Sequence, residues 1–223
     1  MKIALLSTLT QEVNHESHLA CHSMLRKMIS KDIFSIAYIE YKSDFSNYYL
    51  NKANNFYNKI GTHKIVKFDL DELYKEEDKV SLLNFDVLHL GSGNTFDYLY
   101  QLQYRNYIDV IKNFSNLNKI IVGHSAGALL PSQTIGTAIF GDENDIGLKN
   151  LNSIGLIDFE FFPHWNKWSY YLNDLLKYSK ENNKTIYIAE DGEGIFIDKN
   201  QHTIIGNMKM IINGIFYENA KFI

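Results

Sequence analysis

The chain has 223 residues, 45% of them hydrophobic and 22% charged, with a formal charge of −4. That balance supplies enough apolar material for a buried core and excludes disorder, collagen-like repeats and a disulfide-stapled miniprotein. The acidic charge and the lack of a basic block argue against nucleic acid as a partner, and no apolar run approaches the ~20 residues that cross a bilayer. A single cysteine, Cys21, rules out an internal disulfide and a Cys-rich zinc site and fits a reducing, cytoplasmic location.

The opening stretch Met1–Leu9 is apolar but short, and Gln11, Glu12 and Asn14 follow it at once, so it reads as a strand rather than a signal peptide. Further strands are expected at Ile33–Ile39, Lys64–Phe68, Val87–Leu90 and Lys119–Val122, with the first at Lys2–Leu6. Helical patterns fill the gaps at Ser17–Met28, Ser46–Lys59, Leu70–Leu83 and Phe96–Phe114. The run Asp69–Glu72 and Lys75–Lys79 reads as a solvated helix face with no function. Strand–helix alternation of this kind builds an α/β protein on a central, mostly parallel sheet flanked by helices.

From Gly155 the pattern changes. A strand at Gly155–Phe162, a helix at Ser169–Ser179 and a strand at Thr185–Ala189 precede short strands at Gly194–Ile197, Thr203–Ile205, Met208–Ile212 and Ile215–Tyr217. Gly, Asn and Asp between those last strands predict antiparallel C-terminal hairpins. With two prolines, no linker and no repeat, residues 1–223 read as one domain.

The chemistry concentrates in Lys119-Ile-Ile-Val-Gly-His-Ser-Ala-Gly-Ala128. A buried strand running into G-x-S-x-G and then small, helix-compatible residues is the context of a nucleophile elbow, which lifts Ser125 above the sheet at a helix N-terminus. The bland alternative is a tight turn with a structural serine. A serine nucleophile needs a base and an orienting carboxylate. His164 ends the apolar run Ile157–Pro163 at a strand's C-terminal edge, where α/β sites gather. Glu190 and Asp191 lie just past another strand, although Asp-Gly is first of all a turn dipeptide. An α/β-hydrolase order would instead pair His164 with Asp142, Asp145 or Asp158, or a later acid with His202, which sits in a predicted hairpin. The second loop, His89-Leu-Gly-Ser-Gly-Asn-Thr-Phe96, lets backbone N–H groups approach an oxyanion; Asn94 or Thr95 could equally cap the next helix. It lacks the P-loop ending and the dinucleotide spacing.

Gly-Ser-Gly-Asn-Thr-Phe at 91–96, Gly-His-Ser-Ala-Gly-Ala at 123–128, Phe-Pro-His-Trp at 162–165 and Glu-Asp-Gly at 190–192 occur in the order and spacing of the peptidase E family of aspartyl dipeptidases, relatives of cyanophycinases. Leu5–Leu9 and Gly147–Gly155 resemble it too. The resemblance implies a fold like that of class I glutamine amidotransferases and a metal-free, cofactor-free serine exopeptidase acting on small peptides. It implies Ser125 as nucleophile, His164 as general base, and Asp191 as triad acid with Glu190 in reserve and Asp142 third. It implies an oxyanion and substrate-binding loop of Ser92, Gly93 and Asn94 working with Ala126.

This chain departs from the family in two places. Ser92 stands where a glycine is usual, and the stretch after His164, Asn166-Lys-Trp-Ser-Tyr-Tyr-Leu172, contains none of the arginines that suit an acidic substrate side chain. Lys167 lacks the bidentate geometry of a guanidinium. Trp165, Trp168, Tyr170 and Tyr171 would either line an apolar pocket or pack the helix. Two rival functions remain: an α/β-hydrolase-type esterase and a catalytically silent ligand-binding relative. The sequence leaves the oligomeric state open. His15, His18 and His22 with Cys21 recur at helical spacing, a pattern that suits a metal site less well than loop-end polar residues.

Overall fold

The computed structural model describes residues 1–10, 15–42, 46–199 and 201–222. Strand β1 (Lys2–Leu6) leads to helix α1 (His15–Ile29), and then come β2 (Ile33–Glu40), α2 (Ser46–Asn58), β3 (Thr62–Asp69), α3 (Asp78–Leu82) and β4 (Val87–Leu90). Helices α4 (Thr95–Tyr104) and α5 (Tyr107–Asn116) precede β5 (Ile120–His124), the one-turn α6 (Ala126–Leu129) and a 3₁₀ turn at Gly136–Phe140. The C-terminal part adds β6 (Glu160–Phe162), α7 (Trp165–Trp168), a 3₁₀ turn at Ser169–Tyr171 and α8 (Leu172–Asn182). It ends with β7 (Thr185–Ile188), β8 (Gly194–Asp198), β9 (Gln201–Ile205), β10 (Lys209–Ile212) and β11 (Ile215–Tyr217). Among the described residues no helix is long and apolar enough to cross a membrane.

Seven strands form the main sheet in the order β3-β2-β4-β5-β1-β8-β9, parallel from β3 to β1 and antiparallel beyond. Both faces are covered. On one, Leu88, Leu90, Leu99, Leu102 and Ile121 pack in a single cluster with Phe96, Phe114 and Phe161. On the other, Ala4, Leu6, Val87 and Val122 meet Leu25 of α1 and Phe56 and Tyr57 of α2. Burying each such large side chain contributes about 1.5–3 kcal/mol. This two-sided burial explains why β4 and β5 read as continuous apolar runs. A second sheet, β11-β10-β7-β6, packs against Leu175 of α8.

The expected C-terminal hairpins are present as antiparallel pairs, but they divide between the sheets: β8–β9 extends the first and β10–β11 the second, while β6–β7 is parallel. The expected helix at 96–114 is two helices, because Asn106 adopts the left-handed conformation (φ 55°) that asparagine tolerates and that no helix propagates. Helix 70–83 shrinks to α3. The chain before α3 is held instead by Arg105, whose Nε and Nη2 donate to the carbonyls of Leu70 and Asp71 at 3.1 and 3.2 Å. The strand expected from Gly155 begins only at Glu160, since the amides of Leu156 and Ile157 both turn back to the Pro131 carbonyl.

Parallel order places the ends of β1, β4 and β5 side by side. Ser7 follows β1, the Gly91–Asn94 loop follows β4, and Ser125 follows β5.

Candidate active site

Ser125 sits between strand and helix at φ 52°, ψ −123°, a strained conformation for a residue with a side chain. The crossing is tight enough that a Cβ on Gly123 would lie 2.2 Å from the Gly127 carbonyl oxygen, and one on Gly127 would lie 2.1 Å from that of Leu90. Any other residue at either position collides with backbone, so both glycines are sterically required. The turn is pinned by Ser125 N–H donating to Leu6 O (3.1 Å) and Gly127 N–H to Gly91 O (3.0 Å). The helix behind the serine is a single turn, so its dipole is small and the local amides, not a macrodipole, set the electrostatics there.

His164 follows β6 with left-handed backbone (φ 60°), and its amide donates to Ser7 Oγ at 2.9 Å. Ser125 Oγ lies 3.0 Å from His164 Nε2, and the other ring nitrogen, Nδ1, is bonded to Asp191 Oδ1. Asp191 also accepts from Ser7 Oγ (3.3 Å), Asn166 Nδ2 (3.3 Å) and Lys167 Nζ (3.0 Å), while its own amide donates to Asn166 Oδ1 (3.1 Å). Burial alone would raise its carboxyl; the hydrogen bond and charge of His164, and then those of Lys167, outweigh it and hold Asp191 well below the usual carboxylate range. The arrangement can relay a proton from Ser125 to His164 while Asp191 holds the ring and its charge.

The other candidate acids stand elsewhere. Glu190 points away from the imidazole: its amide donates to Glu193 Oε2 and its carboxylate takes Lys209 at 3.2 Å. Asp142 Oδ2 accepts from the amide (2.9 Å) and hydroxyl of Thr95 at the start of α4, not from His164. Asp145 and Asp158 are exposed, and His202 packs on Phe222. So among the described residues the carboxylate bonded to the His164 ring is one that follows the histidine in the chain, and none of Asp142, Asp145 and Asp158 takes that place.

In the second loop Asn94 is the helix cap. Its Oδ1 accepts from the amides of Phe96 (2.9 Å) and Asp97 (3.2 Å), Nδ2 donates to Glu143 O, and its own amide donates to the Tyr41 hydroxyl. Asn94 is therefore occupied, contrary to its expected place among the substrate-binding groups. The backbone N–H groups of Ser92, Gly93 and Ala126 donate to no acceptor among the described residues, and they flank the serine on its two loops.

A second histidine chain lies directly behind. Tyr57 Oη, His89 Nδ1, His89 Nε2 and His124 Nδ1 connect in two bonds of 2.8 Å each. Burial, with the neighbouring His164 and Lys52, lowers His124 to about 3, and burial with His124 takes His89 well below the ordinary value, so both rings are neutral. Of the N-terminal group, the His18 ring meets His22 and Phe56 edge-on and His22 lies tilted against Phe56, Cys21 is buried against the Gly192 carbonyl, and the His15 side chain lies outside the described residues. Among the described residues no three metal-binding side chains converge.

Two cavities meet at Ser125 and His164. One, of about 140 Å³, is walled by Leu129, Ala138, Phe162 and Trp168 and contains Asp142. The other, of about 330 Å³, is polar, with Thr8, Tyr48, Tyr49, Lys52, Ser92 and Lys167. Of the four aromatics after His164 only Trp168 lines either of these two cavities; Trp165 packs on Phe162, Tyr171 on Phe140, and Tyr170 is exposed. The sequence reading missed Ser7, Asn166 and Lys52. A signal existed for Ser7, which directly follows the strand paired in register with β5, Leu6 opposite His124.

The sequence model of Peptidase family S51 matches residues 3–205. An uncharacterized peptidase of Pasteurella multocida is 25% identical over 125 residues, covering 55% of this chain and 60% of that protein. Peptidase E of a Nostoc species is 24% identical over 167 residues, covering 74% and 65%. The matched part thus spans about six-tenths of the length of these curated relatives. Among solved structures, a provisionally assigned peptidase E protein from Listeria monocytogenes superposes with a TM-score of 0.73 at 20% identity over 91% of this chain and 96% of that one. A peptidase from an acI-B1 Actinobacterium gives 0.63 at 15% identity over 96% and 91%. At such identities these likenesses speak for the fold.

Proposed function

The chain belongs to peptidase family S51, and from that premise we propose that it is a serine-type exopeptidase that hydrolyses short peptides without a metal or cofactor. The observation that carries the reading is the unbroken chain Ser125 Oγ–His164–Asp191 at the mouth of two cavities. Ser125 attacks the scissile carbonyl as His164 Nε2 takes its proton. Asp191 fixes the ring with its remaining proton on Nδ1 and stabilises the imidazolium. The free amides of Ser92 or Gly93 and of Ala126 receive the oxyanion; one such donor is typically worth about 10²–10³ in rate. His164 then protonates the leaving amine, and water, activated by the same ring, clears the acyl-enzyme. Cys21, lone and buried, supports a cytoplasmic setting as part of the proposal.

The test is amine release from a panel of dipeptides, with Ser125→Ala beside the wild type. The expected result is turnover that falls by about 10⁶ in the variant. Folded wild type that turns over no peptide but cleaves activated esters would assign an esterase instead, and inertness toward both would leave a silent ligand-binding relative.

A further inference from the structure

The two cavities that meet at Ser125 carry opposite charge. In the smaller, apolar one the only ionisable side chains are His164 and Asp142. Asp142 spends one oxygen, Oδ2, on Thr95; its Oδ1 meets no donor among the described residues. Burial raises Asp142, and the two Thr95 bonds and His164 only partly offset that, so the carboxylate lacks a full cationic partner. In the larger cavity Lys167 is committed to Asp191. That leaves Lys52 of α2, half-buried, with its ammonium 4.2 Å from the Tyr48 ring centre and no carboxylate on it among the described residues. Both groups line the cavities that hold Ser125 and His164: the charge of His164 reaches Asp142, and that of Lys52 reaches His124, which precedes Ser125 in the chain.

We infer that the site reads a free peptide at both ends, with the α-ammonium of the N-terminal residue against Asp142 in the small cavity and the α-carboxylate of the departing residue against Lys52 in the large one. This rests on the serine peptidase reading above and extends it to substrate polarity. A dipeptide is the substrate that carries both charges within one residue of the scissile carbonyl, so the site selects dipeptides over longer or blocked chains. The small cavity also sets the first side chain. Leu129, Phe162 and Trp168 suit an uncharged group of modest size. An N-terminal aspartate would bring a second carboxylate beside Asp142 with no cation to meet it, so aspartyl substrates are disfavoured.

The experiment compares Leu-Leu, its N-acetyl form, its C-amide and Asp-Leu on wild type, Asp142→Asn and Lys52→Met, with p-nitrophenyl acetate as a neutral reporter of the serine chemistry. In the wild type, acetylation and amidation each lower kcat/KM by about 10- to 100-fold, the worth of one charge-assisted contact. Asp142→Asn collapses the free-to-acetylated ratio toward one and leaves the acid-to-amide ratio in place; Lys52→Met does the reverse. Asn keeps the oxygen that Thr95 needs, and thermal melts confirm that each variant is folded. Ester cleavage with equal rates on free and blocked peptides, or a preference for Asp-Leu, would overturn the inference and leave the serine hydrolase standing. Loss of ester and peptide turnover alike in folded wild type would overturn both.

Discussion

Two hydrogen-bonded chains centred on histidine lie back to back in this molecule and have opposite chemistry. Ser125–His164–Asp191 ends on an ionised carboxylate and opens on the cavities. Tyr57–His89–His124 ends on a phenol and runs inward, with Tyr57 and His89 wholly inaccessible and only His124 reaching the wall of the larger cavity. Among the described residues Tyr57 Oη meets no acceptor but His89, so it donates to Nδ1, and His89 then donates from Nε2 to His124. The lesson is that an imidazole is fitted for proton transfer by what its far nitrogen meets. A carboxylate makes it a stronger base and pays for its positive charge. A phenol fixes its tautomer and leaves it neutral.

The largest effect should come from making the first chain resemble the second. Asp191→Asn keeps the shape but presents an amide that can bind the wrong tautomer of His164, so kcat at neutral pH should fall by about 10⁴. Glu190→Gln, which touches only the Lys209 side, should stay within a few-fold in the same assay. Equal losses in both would mean that Asp191 is not the partner that matters.

Stability should separate the chains next. His89 and His124 refuse protons when folded but accept them near 6.5 when unfolded, and His22, lowered to about 4 mainly by burial, behaves alike. Between pH 6.5 and about 4 the unfolded chain therefore binds more protons. Stability falls as pH falls, by about 1.4 kcal/mol per pH unit per histidine well below 6.5. His89→Gln, with nothing to titrate, should remove one proton's worth of that slope in urea melts between pH 7.5 and 4.5. An unchanged slope would mean that His89 is charged in the fold. Tyr57→Phe should cost about 1–3 kcal/mol at neutral pH by leaving His89 Nδ1 buried without its donor, with little change in kcat.

Why the first chain was legible and the second was not follows from where each signal lives. Ser125 announces itself because its turn needs Gly123 and Gly127 on either side, a steric demand written in adjacent residues. His164 and Asp191 are each recognisable at a strand end, but choosing Asp191 over Glu190 depends on which side of a two-residue turn faces the ring, and that is set by Asn166 and Lys209 from elsewhere. Tyr57, His89 and His124 come from a helix and two strands with no shared pattern, and although His89 and His124 fall within the two loop motifs, nothing adjacent to them in the chain points to Tyr57. The parallel sheet was legible because buried strands must be apolar on both faces. The break at Asn106 and the late start of β6 were not, because one left-handed residue and one shared carbonyl decided them.

The finest distinction concerns Lys167, which the first chain has and the second lacks. Its ammonium holds Asp191 at 3.0 Å but is more than half exposed, so water and salt screen it. The His164 bond remains the stronger cause of the low Asp191 value, and removing the lysine leaves that bond intact. Lys167→Met should therefore lower kcat/KM by only about two- to fivefold. The gap from wild type should narrow further in 1 M salt, where an exposed pair contributes least. A drop of a hundredfold, indifferent to salt, would mean that Lys167 meets the substrate itself and that Lys52 is not the sole cation reading the leaving group.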